Sequence, residues 1–209
     1  DQLIEQVNSA LSKFGEDPVD LSGRSDLYAY LPFYLWTLLS EEGKLGIILP
    51  NAWLGTKAGR TFRKELQRFF KIELIAVSGE GKWFREPDVV TSLVVLKREG
   101  DGTSSDSTGE IAFATLKTDL HDSNEDDVRQ LSSGLIAAAS SSERSGDIPF
   151  QLRQYNRQEI KNFDEVGLPW SALFADLTWI EDVETSLIEA SNIFDIGRGE
   201  RRGWNSMFY

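Results

Sequence analysis

The stretch that decides the fold runs from Asp26 to Lys97. It reads DLYAYLPFYLWTLL (Asp26–Leu39), EEGK (Glu41–Lys44), LGIILP (Leu45–Pro50), KAGRTFRKELQRFF (Lys57–Phe70), IELIAV (Ile72–Val77), then Trp83-Phe84 and VVTSLVVLK (Val89–Lys97). Asp26–Leu39 predicts an aromatic-rich helix, capped by a side-chain oxygen of Ser25 or Asp26 and bent at Pro32. Lys57–Phe70 predicts a second helix that packs through Phe62, Leu66, Phe69 and Phe70. Its charges Arg60, Arg63, Lys64, Arg68 and Lys71 are expected around the polar side. The runs Lys44–Leu49, Ile72–Val77 and Val89–Lys97 predict strands, and their continuous apolar character suits strands covered on both faces. A helix joins the first to the second, the connection that parallel strands require. The short loop from the second to the third suits an antiparallel return. The expected fold class is α/β, a partial doubly wound sheet, with Lys44–Leu49 at the edge where a missing half would pair.

Outward from this stretch the signals weaken. Leu3, Ile4, Val7, Leu11 and Phe14 recur at helical spacing and predict a helix over Asp1–Phe14. Gly15–Gly23, with Pro18, reads as a loop, and Gly100–Gly109 as a linker. Glu110–Leu116 predicts one more strand and Glu125–Ala139 a helix. Ser140–Asp147 is polar and expected to be mobile. From Ile148 the chain changes character: Trp170–Phe174 and Ile180–Ala190 predict short helices, and Asn192–Ile196 the entry to a new β element. The expected organisation is residues 1–118 as an α/β body, 119–190 as a mainly helical connector, and 191–209 as the opening of a further domain.

Bulk properties bound the function. At 209 residues, 40% hydrophobic and 27% charged, the chain has an ordinary globular composition. It has no cysteine, so it has neither a disulfide framework nor a thiolate metal site. The one histidine, His121, lies in the acidic stretch Asp119–Asp127 and reads as a solvated loop residue, one ligand being too few for zinc. No run reaches the length of a membrane span, and a cytoplasmic setting is expected. The net charge of −12 argues against a uniformly basic nucleic-acid binder, but the charge is uneven. Asp101–Asp127 is acidic apart from Lys117, whereas Lys57–Lys71 and Arg198, Arg201 and Arg202 are basic clusters that could face one polyanion. The absence of an initial Met, and an end directly after a glycine-rich basic turn, lead us to expect a piece of a longer polypeptide.

The order of these elements carries a resemblance. Asp26-Leu27-Tyr28 opens a helix, Gly43 to Pro50 forms a Gly-x-x-Gly-x-x-x-Pro strand, and Asn51-Ala52-Trp53-Leu54 follows it. Then come Arg63-Lys64-Glu65-Leu66, Leu74-Ile75-Ala76-Val77, Phe84 and Val90-Thr91-Ser92-Leu93-Val94-Val95-Leu96. Over Arg24–Arg98 this resembles the C-terminal half of the catalytic domain of adenine-specific (N6) DNA methyltransferases of restriction–modification and phage-defence systems. Phe194 to Gly199 and Gly203 to Tyr209 are similar to the start of the target-recognition domain in such enzymes; a short glycine-rich hairpin accounts for them equally well.

The resemblance implies a Rossmann-like class I methyltransferase sheet and site residues to match. Phe84 would stack on a target adenine flipped from the duplex, a contact worth about 1–3 kcal/mol; otherwise it caps the sheet edge. Asp26, Tyr28 and Leu31 would wall the S-adenosylmethionine pocket, with Leu31 where an aromatic residue is common; otherwise Asp26 is a helix cap and the other two are core. Pro50 and Asn51 end a strand at its carboxyl edge, where open α/β sheets hold ligands. Arg60, Arg63, Lys64, Arg198, Arg201 and Arg202 are the candidate DNA-backbone contacts. The sequence contains no glycine-rich cofactor loop after a strand and no Asn-Pro-Pro-Tyr-like loop. The resemblance therefore implies S-adenosylmethionine in the parent enzyme, none bound by this chain alone, and no catalytic residue within it. The expected partners are duplex DNA, the remaining half of the catalytic domain, and a second copy pairing through the exposed sheet edge. The alternative is a non-catalytic DNA-binding or assembly module of a modification complex.

Overall fold

A computed structural model of the chain describes residues 2–21, 25–84, 86, 89–99, 109–118, 123–140, 149–179, 186, 188, 190–195 and 197. Residues 1–175 form one compact unit and 176–209 a second.

The first unit is built on a five-stranded mixed sheet, so the α/β expectation holds. Its strands are β1 (Lys44–Pro50), β2 (Phe70–Ser78), β3 (Thr91–Arg98), β4 (Glu110–Leu116) and β5 (Phe150–Asn156), in the spatial order β1-β3-β2-β4-β5. β3 runs antiparallel to both β1 and β2. The first two strands therefore share a direction, as the intervening helix requires, yet they are not neighbours, because the return strand inserts between them. β2 and β4 are parallel and β5 closes the sheet antiparallel to β4. β1 lies at an edge, where it was expected.

Register divides the side chains into two faces. Leu49 opposite Ser92, Ile47 opposite Val94 and Leu45 opposite Leu96 share one face; Ile48 opposite Leu93 and Gly46 opposite Val95 share the other. On the first face lie helix α2 (Leu31–Trp36) and helix α4 (Lys57–Phe69). Phe62 of α4 meets Phe33 of α2 and Trp53 edge-on, and Phe69 meets Phe33 and Trp36 likewise. Helix α1 (Gln2–Ser12) packs on α2 and buries Val7 and Leu11. Helix α5 (Glu125–Ser140) covers the other face over β2, β4 and β5: Leu131 and Leu135 meet Ala76, Ala112, Ala114, Leu116 and Leu152. Among the described residues β1 is covered on one face only, and Ile48 is 47% exposed, contrary to the expectation of a strand sheltered on both sides.

Several local expectations shift for identifiable reasons. The Asp26–Leu39 helix is broken into a 3-10 turn (Leu27–Ala29) and α2, with Pro32 at the start of the latter. Proline lacks an N–H and clashes with the preceding turn, so it opens a new helix instead of bending a longer one. Asp26 occupies the cap position, but its side chain makes no capping bond. The sheet also crosses the boundary expected at residue 118. β5 pairs with β4 along its length, and helix α6 (Arg157–Glu165) follows it behind an Asn156/Glu159 capping box. Only Phe150 and Leu152 of β5 are buried, which left no apolar run to read. In the second unit, Ala190–Asn192 forms a 3-10 turn in which the Ala190 carbonyl accepts from the amides of Ile193 and Phe194. Those amides are satisfied locally, so the β element expected from Asn192 does not form over the described residues. His121 and most of the expected 180–190 helix lie outside the described residues.

Candidate functional site

The carboxyl ends of β1, β2 and β4 open onto one end of the sheet, together with the start of β3. Pro50 terminates β1 opposite Thr91, and the Asn51 amide donates to the Val90 carbonyl at 2.8 Å. Asn51 then caps the one-turn helix α3 (Ala52–Gly55). The turn is held from beneath: the Trp53 indole donates to the Ser92 hydroxyl (3.1 Å), which lies 3.3 Å from the Leu49 carbonyl oxygen. Ser92 has no exposure, so its hydroxyl links two buried polar groups, the Trp53 indole and the Leu49 carbonyl near the end of β1. The Asn51 Oδ1 and Thr91 Oγ1 atoms are buried without hydrogen-bond partners. They are the uncommitted polar atoms of this strand end.

Phe84 lies on the loop that leaves the same end of the sheet between β2 and β3, and it is 41% exposed. Trp83 beside it turns inward and packs against the α5-face cluster. The pair is thus split, one ring anchored and one presented.

Asp26, Tyr28 and Leu31 stand on the segment leading into α2. Leu31 is 43% exposed and Asp26 is exposed. Tyr28 is half-buried with its ring edge-on to Phe62 at 5.9 Å. Burial, and then the Asp26 carboxylate, push the Tyr28 phenol above its ordinary pKa. Phe62 touches Trp53 in turn, so one file of rings connects this segment to the end of β1. Chemically the three residues offer an apolar surface and a carboxylate not spent on its own helix.

The basic residues of α4 separate. Arg63 was expected on the polar side but is buried, 3% exposed. Its Nη1 donates to the Trp53 (2.6 Å) and Leu54 (3.2 Å) carbonyls, its Nη2 lies 3.8 Å from Asp164, and its guanidinium sits over the Trp170 ring. Burial draws this guanidinium below its ordinary pKa, with Asp164 opposing the shift. A cation committed in this way cannot reach a phosphate, so Arg63 leaves the DNA-contact set. It becomes the residue that holds α3 behind Asn51. Arg60 is exposed and donates to the Asp164 carbonyl at 3.1 Å; Lys64 is exposed. Arg68 holds the Asp17 and Pro18 carbonyls and pairs with Glu65 at 3.3 Å. Arg198, Arg201 and Arg202 lie outside the described residues.

Sequence reading missed Trp53, Ser92 and Gly59. A Cβ on Gly59 would stand 2.0 Å from the Trp53 carbonyl oxygen, so the glycine is what lets α4 pass against α3. A tryptophan three residues after a strand-ending proline, with a glycine six residues on, is the signal that was available. Among the described residues no group of His, Asp and Glu could hold a metal ion, and no helix is long and apolar enough to cross a membrane.

No family model and no curated protein matches the sequence. Solved structures do. The chain is similar to the type IIG restriction endonuclease BpuSI, with a TM-score of 0.62 and 21% identity over 91% of this chain and 21% of that one. It is also similar to the methyltransferase subunit of a type I restriction-modification system from Streptococcus thermophilus, with a TM-score of 0.53 and 19% identity over 80% of this chain and 35% of that one. The chain thus spans about a fifth and a third of these two proteins. The likeness is one of fold: the sheet is of the Rossmann-like kind found in restriction-modification methyltransferases.

Proposed function

We propose that this chain is a segment of an S-adenosylmethionine-dependent DNA adenine N6-methyltransferase of restriction–modification type. It supplies the target-base and DNA contacts, while the cofactor loop and the catalytic loop belong to the parent enzyme outside these residues. The observation that carries the reading is the end of the sheet. There Phe84 is exposed, the Asn51 Oδ1 at the end of β1 is uncommitted, and Tyr28 of the Asp26–Leu31 segment connects to that end through Phe62 and Trp53.

In this reading Phe84 stacks on a flipped adenine. Asp26, Tyr28 and Leu31 form one side of the cofactor pocket, and Pro50 and Asn51 floor the cleft between cofactor and base. Arg60 and Lys64, with Arg198, Arg201 and Arg202, touch the DNA backbone. S-adenosylmethionine supplies the methyl group in the parent, and the 209 residues alone neither bind it nor transfer it. The fold likeness supports a methyltransferase; adenine as the target rests on the sequence resemblance. The remaining part of the catalytic domain is the expected protein partner.

The test uses the full-length protein with radiolabelled S-adenosylmethionine and duplex DNA. Label is expected at adenine N6, and Phe84→Ala is expected to lower kcat/KM by about 10-fold or more, given a stacking contact of about 1–3 kcal/mol. Label in RNA or protein, with none in adenine, would replace this reading with another class I methyltransferase activity. A full-length protein that transfers no methyl group but binds DNA would leave a binding or assembly module.

A further inference from the structure

The loop between β2 and β3 is fixed at successive points before it reaches Phe84. Gly79 follows the end of β2, and its amide donates to the Leu116 carbonyl of β4 at 2.7 Å. A Cβ at Gly79 would stand 3.0 Å from both that oxygen and the Thr115 side chain, so the loop leaves the sheet pressed against β4. The Glu80 amide donates to Ser78 Oγ at 3.2 Å. Gly81 then takes φ of +117°, a region that side chains avoid, and reverses the chain's course. Two residues later Trp83 packs against the cluster of Ala76, Leu116, Leu131, Leu135, Phe150 and Leu152. Its indole nitrogen is buried without an acceptor. Packing therefore holds the ring, with no hydrogen bond to direct it.

We infer that Trp83 is the positioning residue for Phe84, with α5 as the wall that sets its depth. The chain bends at Trp83, and with that ring seated against the α5-face cluster the next side chain, Phe84, is left 41% exposed at the strand ends. Gly79 and Glu80 hold the loop at the end of β2, and Trp83 gives it a contact on the α5 side. α5 belongs to the segment expected as a connector after residue 118, so its placement against β4 and β5 governs the loop that carries the proposed base contact. The inference rests on the reading of Phe84 given above only for its functional meaning; the anchor itself is a matter of packing.

The experiment places 4-fluorophenylalanine at position 84 of the 209-residue chain and follows its ¹⁹F resonance. The native chain should give one resonance displaced from that of the urea-denatured chain. Trp83→Ala should move it most of the way to the denatured position, while Trp83→Phe, which keeps a ring and removes an unsatisfied donor, should leave it in place. Leu11→Ala, a cavity of comparable cost in α1, should lower Tm without moving it. Leu135→Ala hollows the wall while leaving Trp83 in place and gives the same reading where Trp83→Ala does not fold. A resonance that ignores Trp83→Ala or Leu135→Ala, or that moves equally with Leu11→Ala, would overturn the inference. Binding to a duplex with one unpaired adenine separates the two ideas. Roughly tenfold weaker binding by both Trp83→Ala and Phe84→Ala supports both. A shifted resonance with binding unchanged in both variants upholds the anchor and removes the base-stacking role.

Discussion

On the α4 side of the sheet, Ile75, Val94, Leu96 and Phe113 are buried under rings: Phe33, Phe62, Phe69, Trp53 and Trp170 meet edge-on in a chain of contacts at 5.3–6.0 Å. Several polar groups on that side are held by directional bonds, with Arg63 on two carbonyls, Trp53 on Ser92 and Trp36 on the Phe69 carbonyl, although the Arg63 Nε is buried without a partner. On the α5 side the floor is Ala76, Ala112 and Ala114, roofed by leucines, and the cover does not extend to Ile48. One face is finished within the described residues by directional contacts. The other relies on volume and stops short of β1. The proposed site sits at the end of the sheet where both faces contribute, Asn51 and Tyr28 held by the first and Trp83 by the second.

The largest effect should come from closing the gap that admits α4. Gly59→Ala would gain about 1 kcal/mol in a free helix. Here the new carbon would meet the Trp53 carbonyl oxygen at 2.0 Å and its carbon at 2.6 Å, backbone atoms that cannot rotate away. A net loss of about 4 kcal/mol is expected, at the diagnostic end of point mutations, or roughly 8–16 °C in Tm. A melt within about 1 °C of the parent chain would mean that α3 and α4 are not locked in this way.

Arg63→Ala should follow at about 3 kcal/mol, since it strands the Trp53 and Leu54 carbonyls at once and removes the cation facing Asp164. Lys64→Ala on the exposed side should stay within about 0.5 kcal/mol. Urea titrations of the two variants test the difference between neighbours that sequence alone groups together. Equal costs would break the contrast. On the α5 side, Leu135→Ala removes a residue at 9% exposure from the alanine-floored cluster and should cost about 2 kcal/mol, the low end of the leucine range, because a helix held only by packing can settle into the space.

How much of this was legible in the sequence follows the same division. The α4 side announces itself through aromatic residues at helical spacing, so α4 and the strands around it were readable from Phe62, Leu66 and Phe69. β5 was not, because only Phe150 and Leu152 are fully buried and, Tyr155 apart, the rest of Phe150–Asn156 is polar. Arg63 was misplaced because helical position alone put it among charges. Its burial depends on the carbonyls of α3 and on Trp170, which arrives from more than a hundred residues away. Of the proposed site, Phe84 and Asn51 are candidates that element order alone suggests, whereas Trp83 as an anchor depends on α5, whose spacing holds no hint of which strand it covers.

Glu65 offers a subtler probe of the α4 side. Burial raises its carboxyl above the ordinary value of 4.5, Arg68, the Asp20 amide and Lys64 pull it back, and the Asp20 carboxylate adds to the rise. A folded-state pKa above the unfolded one means that the fold favours the protonated acid. The contribution is therefore fully present below about pH 4.5 and is lost as pH rises through the folded value. In a comparison with Glu65→Gln, in which the other carboxylates cancel, the stability of the native chain relative to the variant should decline across that window. A relative rise would show that the Arg68 pair outweighs burial.

The smallest change in folding free energy, and the sharpest test of the unfinished face, is Ile48→Lys. Ile48 is 47% exposed on an edge strand whose centre carries Gly46 and Ile47 and no charge, Lys44 alone marking its start. Edges without charge, proline or cover invite a further strand. Because Ile48 already sees solvent, its replacement should alter stability by less than about 0.5 kcal/mol. If β1 is where another strand adds, the native chain should gain mass in light scattering as concentration rises, and Ile48→Lys should hold it at the monomer mass. The α4 side supplies the control: Lys64→Ala, equally exposed but on the finished face, should leave association as it is. A native chain that stays monomeric at high concentration would show that β1 needs no partner of its own kind, and would leave the remaining catalytic half as the strand's proposed neighbour.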